Sequence, residues 1–265
     1  MSATYRPERR RRSHGLVLIE WLIGIALGLL VLVAALGTSA LTFSAVAAGT
    51  DAADLQQRAD LALALIGRQV RQAGAVQLRP AGAFVVFRTT FDGWAGSGLP
   101  VSGLEGGKDK PDTLRLSHAF AGGERDCLGN LPAARNNPPA PDTTDTEYTI
   151  AAESTNDNRP ALYCRGNQTV ARQALVSGVD DLQVLYGIAG AGGVAGSLRH
   201  VTADLVTAAT PVLAVSVCLQ LSGAGQPGPG TVLDCQGKPL PAGKTAGRTV
   251  RLARGTFMVR NALPA

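Results

Sequence analysis

The chain is poor in aromatic side chains, at 5% of its residues, and holds only three histidines and four cysteines. It has no internal repeat, which sets aside solenoid and propeller architectures. No two cysteines stand as C-x-x-C, so the zinc-ribbon and redox-motif readings have no support. His14, His118 and His200 have no neighbours at metal-ligand spacing, so no metal is expected. No G-x-S-x-G or comparable nucleophile motif is present, and scattered Ser, His and Asp residues select no triad. No cofactor is expected either. Gly190-Ala191-Gly192-Gly193-Val194-Ala195 fits G-x-G-x-x-A after a strand-like run. It lacks an enclosing βαβ unit and an acidic residue about 20 positions on, so it reads as a hairpin loop.

Charge is missing from one long stretch. Between Leu16 and Thr50 the only charged residue is Glu20. The net charge of +5 invites a nucleic-acid reading, but its distribution opposes it. The first 15 residues carry Arg6, Arg9, Arg10, Arg11 and Arg12 against Glu8. Without these six charges, the totals of 25 basic and 20 acidic side chains fall to 20 and 19. The excess sits at the N-terminal tip, where positive charge beside an apolar run marks the cytoplasmic side of a membrane. No direct nucleic-acid partner is expected; inner-membrane lipid is.

The apolar run is longer than a bilayer requires. As a helix it would extend about 50 Å, whereas about 20 residues cross the hydrocarbon core. Residues 16–40 are the expected transmembrane part. Beyond Asp51 and Asp54 the periodicity continues: Leu55, Ala59, Ala62, Leu65 or Ile66, Val70 and Ala73 recur at three- and four-residue steps. This is one apolar stripe of an amphipathic helix, with Gly74 a plausible stop. The expected organisation is a basic leader over 1–15, a helix over 16–74 and a β-rich periplasmic domain over 75–265.

After Gly74 short strand-like runs take over: Phe84–Arg88, Thr113–Ser117, Glu147–Ala151, Ala161–Cys164, Leu182–Ile188, Val212–Leu221 and Thr249–Val259. By composition Asn136–Asp145 and Gly223–Gly230 are loops, Asp92–Gly98 is another, and Ser197–Val206 reads as a short helix. Cys127, Cys164, Cys218 and Cys235 all follow the apolar run. An even count in an exported domain fits disulfides, against the alternative of four buried thiols. Three pairings are possible. Cys127–Cys164 with Cys218–Cys235 is favoured because each closes a modest loop.

The junction Gly15-Leu16-Val17-Leu18-Ile19-Glu20 resembles the processing site of type IV prepilins and their pseudopilin relatives. Their short basic leader ends in Gly before an apolar residue, with Glu fifth after the cut. Leu16 and Val17 depart from the commoner Phe and Thr. The resemblance implies cleavage between Gly15 and Leu16, N-methylation of Leu16, and a registry role for Glu20 against the freed amine of a neighbouring subunit. A carboxylate inside an apolar helix costs about 2–4 kcal/mol or more, so a partner is the natural reason for it; snorkelling to the headgroups is the alternative. Gly24 and Gly28 form a G-x-x-x-G pair that lets helices approach closely, or reflect glycine enrichment alone. Ala45-Val46-Ala47 is a competing signal-peptidase triplet, but the apolar stretch before it is too long and contains Glu20.

Further along, Leu162-Tyr163-Cys164-Arg165-Gly166, the block Leu175–Gly187, the run Val212–Leu221 and the ending Phe257-Met258-Val259-Arg260-Asn261 are similar to PilW-type minor pilins. Asp180 and Asp181 lie at the entry of a strand; as a catalytic carboxylate pair they lack a third group. The resemblance implies an α+β fold of the type IV pilin kind, a long N-terminal helix packed on an antiparallel β-sheet with long loops. It also implies a structural, non-catalytic role in priming the type IV pilus. The implied partners are the prepilin peptidase, other minor pilins, the major pilin and a large tip adhesin. Alternatives are a minor pseudopilin of type II secretion and a membrane-anchored periplasmic binding or enzymatic domain.

Overall fold

The computed structural model describes residues 14–76, 78–81, 84–87, 91, 98–119, 123–131, 143–154, 158–166, 171–190, 197–225, 231–240 and 247–262. Helix α1 runs His14–Gln72. The chain divides into two compact units, Met1–Thr50 and Asp51–Ala265.

In the first unit α1 has no buried face. Every described side chain from Leu18 to Thr50 is exposed, Trp21 at 72% and Phe43 at 76%. The helix is long and apolar enough to cross a membrane. Its few hydroxyls are satisfied within the helix. Thr38 and Ser39 both donate to Ala35 O, Thr42 to Thr38 O, Ser44 to Leu41 O and Thr50 to Ala47 O. Such back-bonding removes the penalty of carrying unpaired polar groups in an apolar medium.

In the second unit the stripe Leu55, Ala59, Ala62, Ile66, Val70 and Ala73 is buried. Of the two candidates at the third turn, Ile66 is in the core and Leu65 lies at its margin. The small residues Ala59, Ala62 and Gly67 bring the helix axis close to the sheet. A Cβ at Gly67 would collide with the Phe257 ring.

Eleven strands are described: β1 Leu78–Ala81, β2 Phe84–Phe87, β3 Val101–Leu104, β4 Thr113–Ala119, β5 Thr143–Glu153, β6 Arg159–Gly166, β7 Gln173–Ser177, β8 Val179–Ala189, β9 Leu198–Val201, β10 Val212–Ser222 and β11 Val250–Met258. All pairings are antiparallel. They form a β1-β2 hairpin, a five-stranded sheet in the order β3-β4-β5-β6-β7, and a four-stranded sheet in the order β11-β10-β8-β9. The buried faces of the two larger sheets share one core with the stripe of α1, including Leu114, Leu116, Tyr148, Leu162, Leu182, Val184, Val215, Val217 and Leu219.

Two short links join the sheets. Gly178 alone separates β7 from β8, with φ +77°, a region that favours glycine. Its N–H donates to Pro160 O and its carbonyl accepts from Ser222 N–H, both at 2.9 Å. The second link is Asp112, buried at the start of β4. Its carboxylate accepts from Gly106 N–H at 2.9 Å and from Val184 N–H at 2.8 Å, while its own N–H donates to Leu182 O.

Two readings of the sequence change. Residues 143–145 of the expected loop Asn136–Asp145 are the start of β5 and are buried. Their polar composition suggested a loop, but Asp145 accepts from Ser117 Oγ on β4, and threonine suits a pleated surface. Ser197–Val206 is no α-helix: it holds β9, paired with the end of β8, then a 3-10 turn at Ala203–Leu205. The Gly190 N–H donates to Ser197 O and closes that hairpin. Residues 223–225 of the expected loop Gly223–Gly230 are loop, and hydrogen bonds hold them in place. Gly223 N–H donates to Thr249 O, Thr249 N–H to Gly225 O, and Ala224 N–H to the Asp51 carboxylate. Residues 136–142, 226–230 and 92–97 lie outside the described residues, as does the leader through Ser13.

Candidate functional site

Gly15 and Leu16 fall in the first turn of α1. Glu20 follows, exposed among Leu18, Ile19, Trp21, Leu22 and Ile23. Positions four apart share a helix face, so Glu20, Gly24 and Gly28 lie along one line. A Cβ built on either glycine would meet nothing. The line therefore presents a carboxylate and then a smooth notch, with backbone accessible for two turns. This is a surface on which a second helix can approach closely.

Cys218, in β10, is joined to Cys235, with Cα atoms 5.8 Å apart. The bond tethers a compact loop over the face of the four-stranded sheet. Asp234 Oδ1 accepts from the N–H groups of Gln236 and Lys238, and Leu240 N–H donates to Val232 O. Cys127 and Cys164 form the other pair, with Cα atoms 6.3 Å apart. That bond holds the segment around Asp126 against β6. There the Asp126 carboxylate organises a turn by accepting from Leu128 N–H and Asn130 N–H.

Asp180 and Asp181 point to different tasks. Asp181 Oδ1 accepts from Leu182 N–H and from the Gln183 side chain, so it shapes the strand entry. Asp180 is half-buried, and burial raises its carboxyl above the ordinary range. Both line a cleft of about 250 Å³ with Asp109, Gln220, Asp234 and Arg248. No nucleophile–base pair is among these residues. Among the described residues no group of three or more His, Cys, Asp or Glu is placed to hold a metal ion. His118 is buried on β4, and His200 is exposed, within 3.1 Å of Ser216 Oγ. Tyr186 is buried and donates to Ser102 O at 3.2 Å. Burial pushes its phenol up, so it acts as a neutral donor between the sheets.

Three structural residues escape a reading of the sequence. Asp112 bridges strands far apart in the chain, and nothing in its neighbourhood signals it. Asp51 sits in a cradle made by Gly223 and Gly225, where any Cβ would strike its carboxylate; the paired glycines are the trace it leaves in the sequence. Asn261, at the end of the last recognised block, bonds the end of α1.

A search among curated proteins finds no match. Among solved structures the chain is similar to a type IV-like pilin from Thermus thermophilus, at 12% identity and a TM-score of 0.43, over 79% of this chain and 98% of that one. From within β5 to the helix-capping Asn261, residues 147–261 match the family model of PilW, type IV pilus-assembly protein W, and the chain is PilW-like over that region.

Proposed function

We propose that this chain is a minor pilin, a structural subunit that helps prime assembly of the type IV pilus. The single observation that carries this reading is the pairing of two features in one chain. One is an exposed apolar helix bearing Glu20 and the Gly24/Gly28 notch; the other is a sheet domain that matches a pilus-assembly family. A helix exposed on every side from Leu18 to Thr50 needs lipid or other helices around it. Lipid covers it before assembly, and neighbouring pilin helices cover it afterwards. The basic leader is removed after Gly15, Leu16 becomes the methylated N-terminus, and Glu20 pairs with the amine of a neighbour seated in the notch.

In this reading residues 16–40 cross the inner membrane, the helix continues to Gln72, and the sheet domain over 75–265 lies in the periplasm. The prepilin peptidase, other minor pilins, the major pilin and a large tip adhesin are its partners. The domain's disulfides suit an oxidising compartment. A subunit of this kind belongs at a filament end, where few copies suffice.

Intact-mass analysis from a host with prepilin peptidase tests the processing: the expected mature chain begins at methylated Leu16. A start at Met1 or at Ala48 overturns it. Sheared-pilus yield in a deletion strain tests the priming role, with fewer pili and unchanged whole-cell major pilin expected. Unchanged pili with failed export of folded proteins would assign the chain to a type II secretion machine instead.

A further inference from the structure

The four-stranded sheet ends in a long edge strand, β11. β11 pairs with β10 through nine consecutive positions without a register shift, from Val250 to Met258. Among the described residues no strand pairs with its other edge. The other sheet margins are blunted. β3 and β9 have four residues each, and β7 has five and a register irregularity against β6. Short strands, bulges, prolines and charged side chains are how sheets avoid further pairing; β11 is long, unbulged and free of proline, and its arginines are the one such device it carries.

The strand is also held rigid. The Phe257 ring fills the space where Gly67 of α1 lacks a side chain, and the Arg71 guanidinium lies 5.9 Å from the ring centroid. Beyond the strand, Val259 N–H donates to Leu213 O and Asn261 bonds the helix end. An edge fixed in advance loses little freedom when another strand adds.

Its charge is of one sign. From Gly247 to Ala262 there are four arginines, Arg248, Arg251, Arg254 and Arg260, and no Asp or Glu. Arg251, Arg254 and Arg260 are exposed. Strand alternation puts Arg251 on the face of Phe257, and Arg254 on the other with the exposed Met258. Two copies of this edge would set arginine against arginine, which disfavours self-pairing. We infer that the free edge of β11 docks an extended acidic segment of a partner protein, which adds to the sheet as a fifth strand with carboxylates on both faces. Main-chain bonding supplies the attachment and the arginines supply selectivity. The inference does not depend on the pilin reading, because it uses only the sheet domain's own edge.

The test uses the full chain in detergent micelles and four probes. These are a nine-residue peptide of alternating Glu, Val and Thr; the same peptide N-methylated at alternate residues; its Lys-for-Glu counterpart; and oligothymidylate. Binding is followed by fluorescence anisotropy and by amide hydrogen exchange. The acidic peptide is expected to slow exchange within 250–258, at about half of the amides, because alternate N–H groups face outward. The N-methylated and Lys peptides are expected to bind at least about tenfold more weakly. The double variant Arg251→Glu/Arg254→Glu is expected to reverse the preference between Glu and Lys peptides. The inference is overturned if the acidic peptide leaves β11 exchange unchanged, or if N-methylation makes no difference, since the attraction is then charge alone. Oligothymidylate protecting β11 more strongly than the acidic peptide would make the edge a nucleic-acid surface and overturn it too. Should the variant not fold, the four probes on the unmutated chain decide the matter.

Discussion

The side-chain amide of Asn261 donates to the backbone carbonyl of Ala73, 188 positions earlier, at 3.3 Å, and to that of Arg71 at 3.4 Å. The last turn of a helix leaves carbonyls without intrahelical donors. Here Gly74 turns the chain away with φ +76° and gives its N–H to Ser117 O on β4. Asn261 supplies the missing donors. The last residue of the PilW match thus closes the end of α1, and a Cβ at Gly74 would collide with the Asn261 carbonyl.

Asn261→Ala should destabilise the sheet domain by about 0.5–1.5 kcal/mol, the net worth of hydrogen bonds of this kind. Asn261→Asp should be worse than alanine, because a carboxylate facing the carbonyl end of a helix is repelled. Urea unfolding of the solubilised chain measures both. An aspartate variant as stable as the parent would contradict the capping role.

Asp112→Ala should cost more, about 3 kcal/mol, because it strands the N–H groups of Gly106 and Val184 where the two sheets meet. Asp112→Asn should be a poor rescue: one amide oxygen can still accept, but the amide nitrogen would face another N–H. Denaturant midpoints for the three proteins decide this. An asparagine variant within about 0.5 kcal/mol of the parent would show that the carboxylate does not bridge both amides.

The residues that were legible in the sequence act locally or periodically. Leu55, Ala59, Ala62, Ile66 and Val70 spell the buried face of α1 because burial on a helix repeats every three to four positions. The alternation from Leu182 to Tyr186 marks β8 for the same reason with period two. Glu20, Gly24 and Gly28 stand out by type and spacing, and a helix places them on one line. β3 and β7 carried no signal, since each buries a single side chain. Asp112 and Asn261 work through partners 72 and 188 positions away, and no local pattern encodes such contacts. The start of β5 misled because Thr143, Thr144 and Asp145 are polar yet buried, their partners being on β4.

The Cys218–Cys235 bond spans a sequence separation of 17. Chain-entropy arguments give about 3 kcal/mol for a loop of this size. Cys218→Ser/Cys235→Ser should lower stability by roughly that amount. It should also release the loop over the sheet face, so that hydrogen exchange quickens at Gln236 and Lys238, whose N–H groups are held by Asp234. Stability lost without faster exchange there would mean the bond acts only on the unfolded chain.

His118 gives the domain a pH dependence. It is 2% exposed, its Nε2 has no hydrogen-bond partner, and burial holds its imidazole below the ordinary value of 6.5, with Glu124 pulling weakly the other way. As pH falls through 6.5, the unfolded chain takes up this proton before the folded one does. The unfolded state then binds more protons, so stability declines with acidification until the folded imidazole also titrates, and levels off below that. Asp180 and Glu105 act in the opposite sense at lower pH, because burial raises both carboxyls and the folded state protonates them first. The contribution of His118 is therefore isolated by difference. His118→Gln should flatten the fall in stability just below pH 6.5 while leaving the more acidic limb unchanged. Denaturant unfolding at stepped pH reads this directly, and NMR titration of the imidazole should place its midpoint below 6.5. Parallel stability curves for parent and variant would show that the buried ring contributes nothing to the acid response.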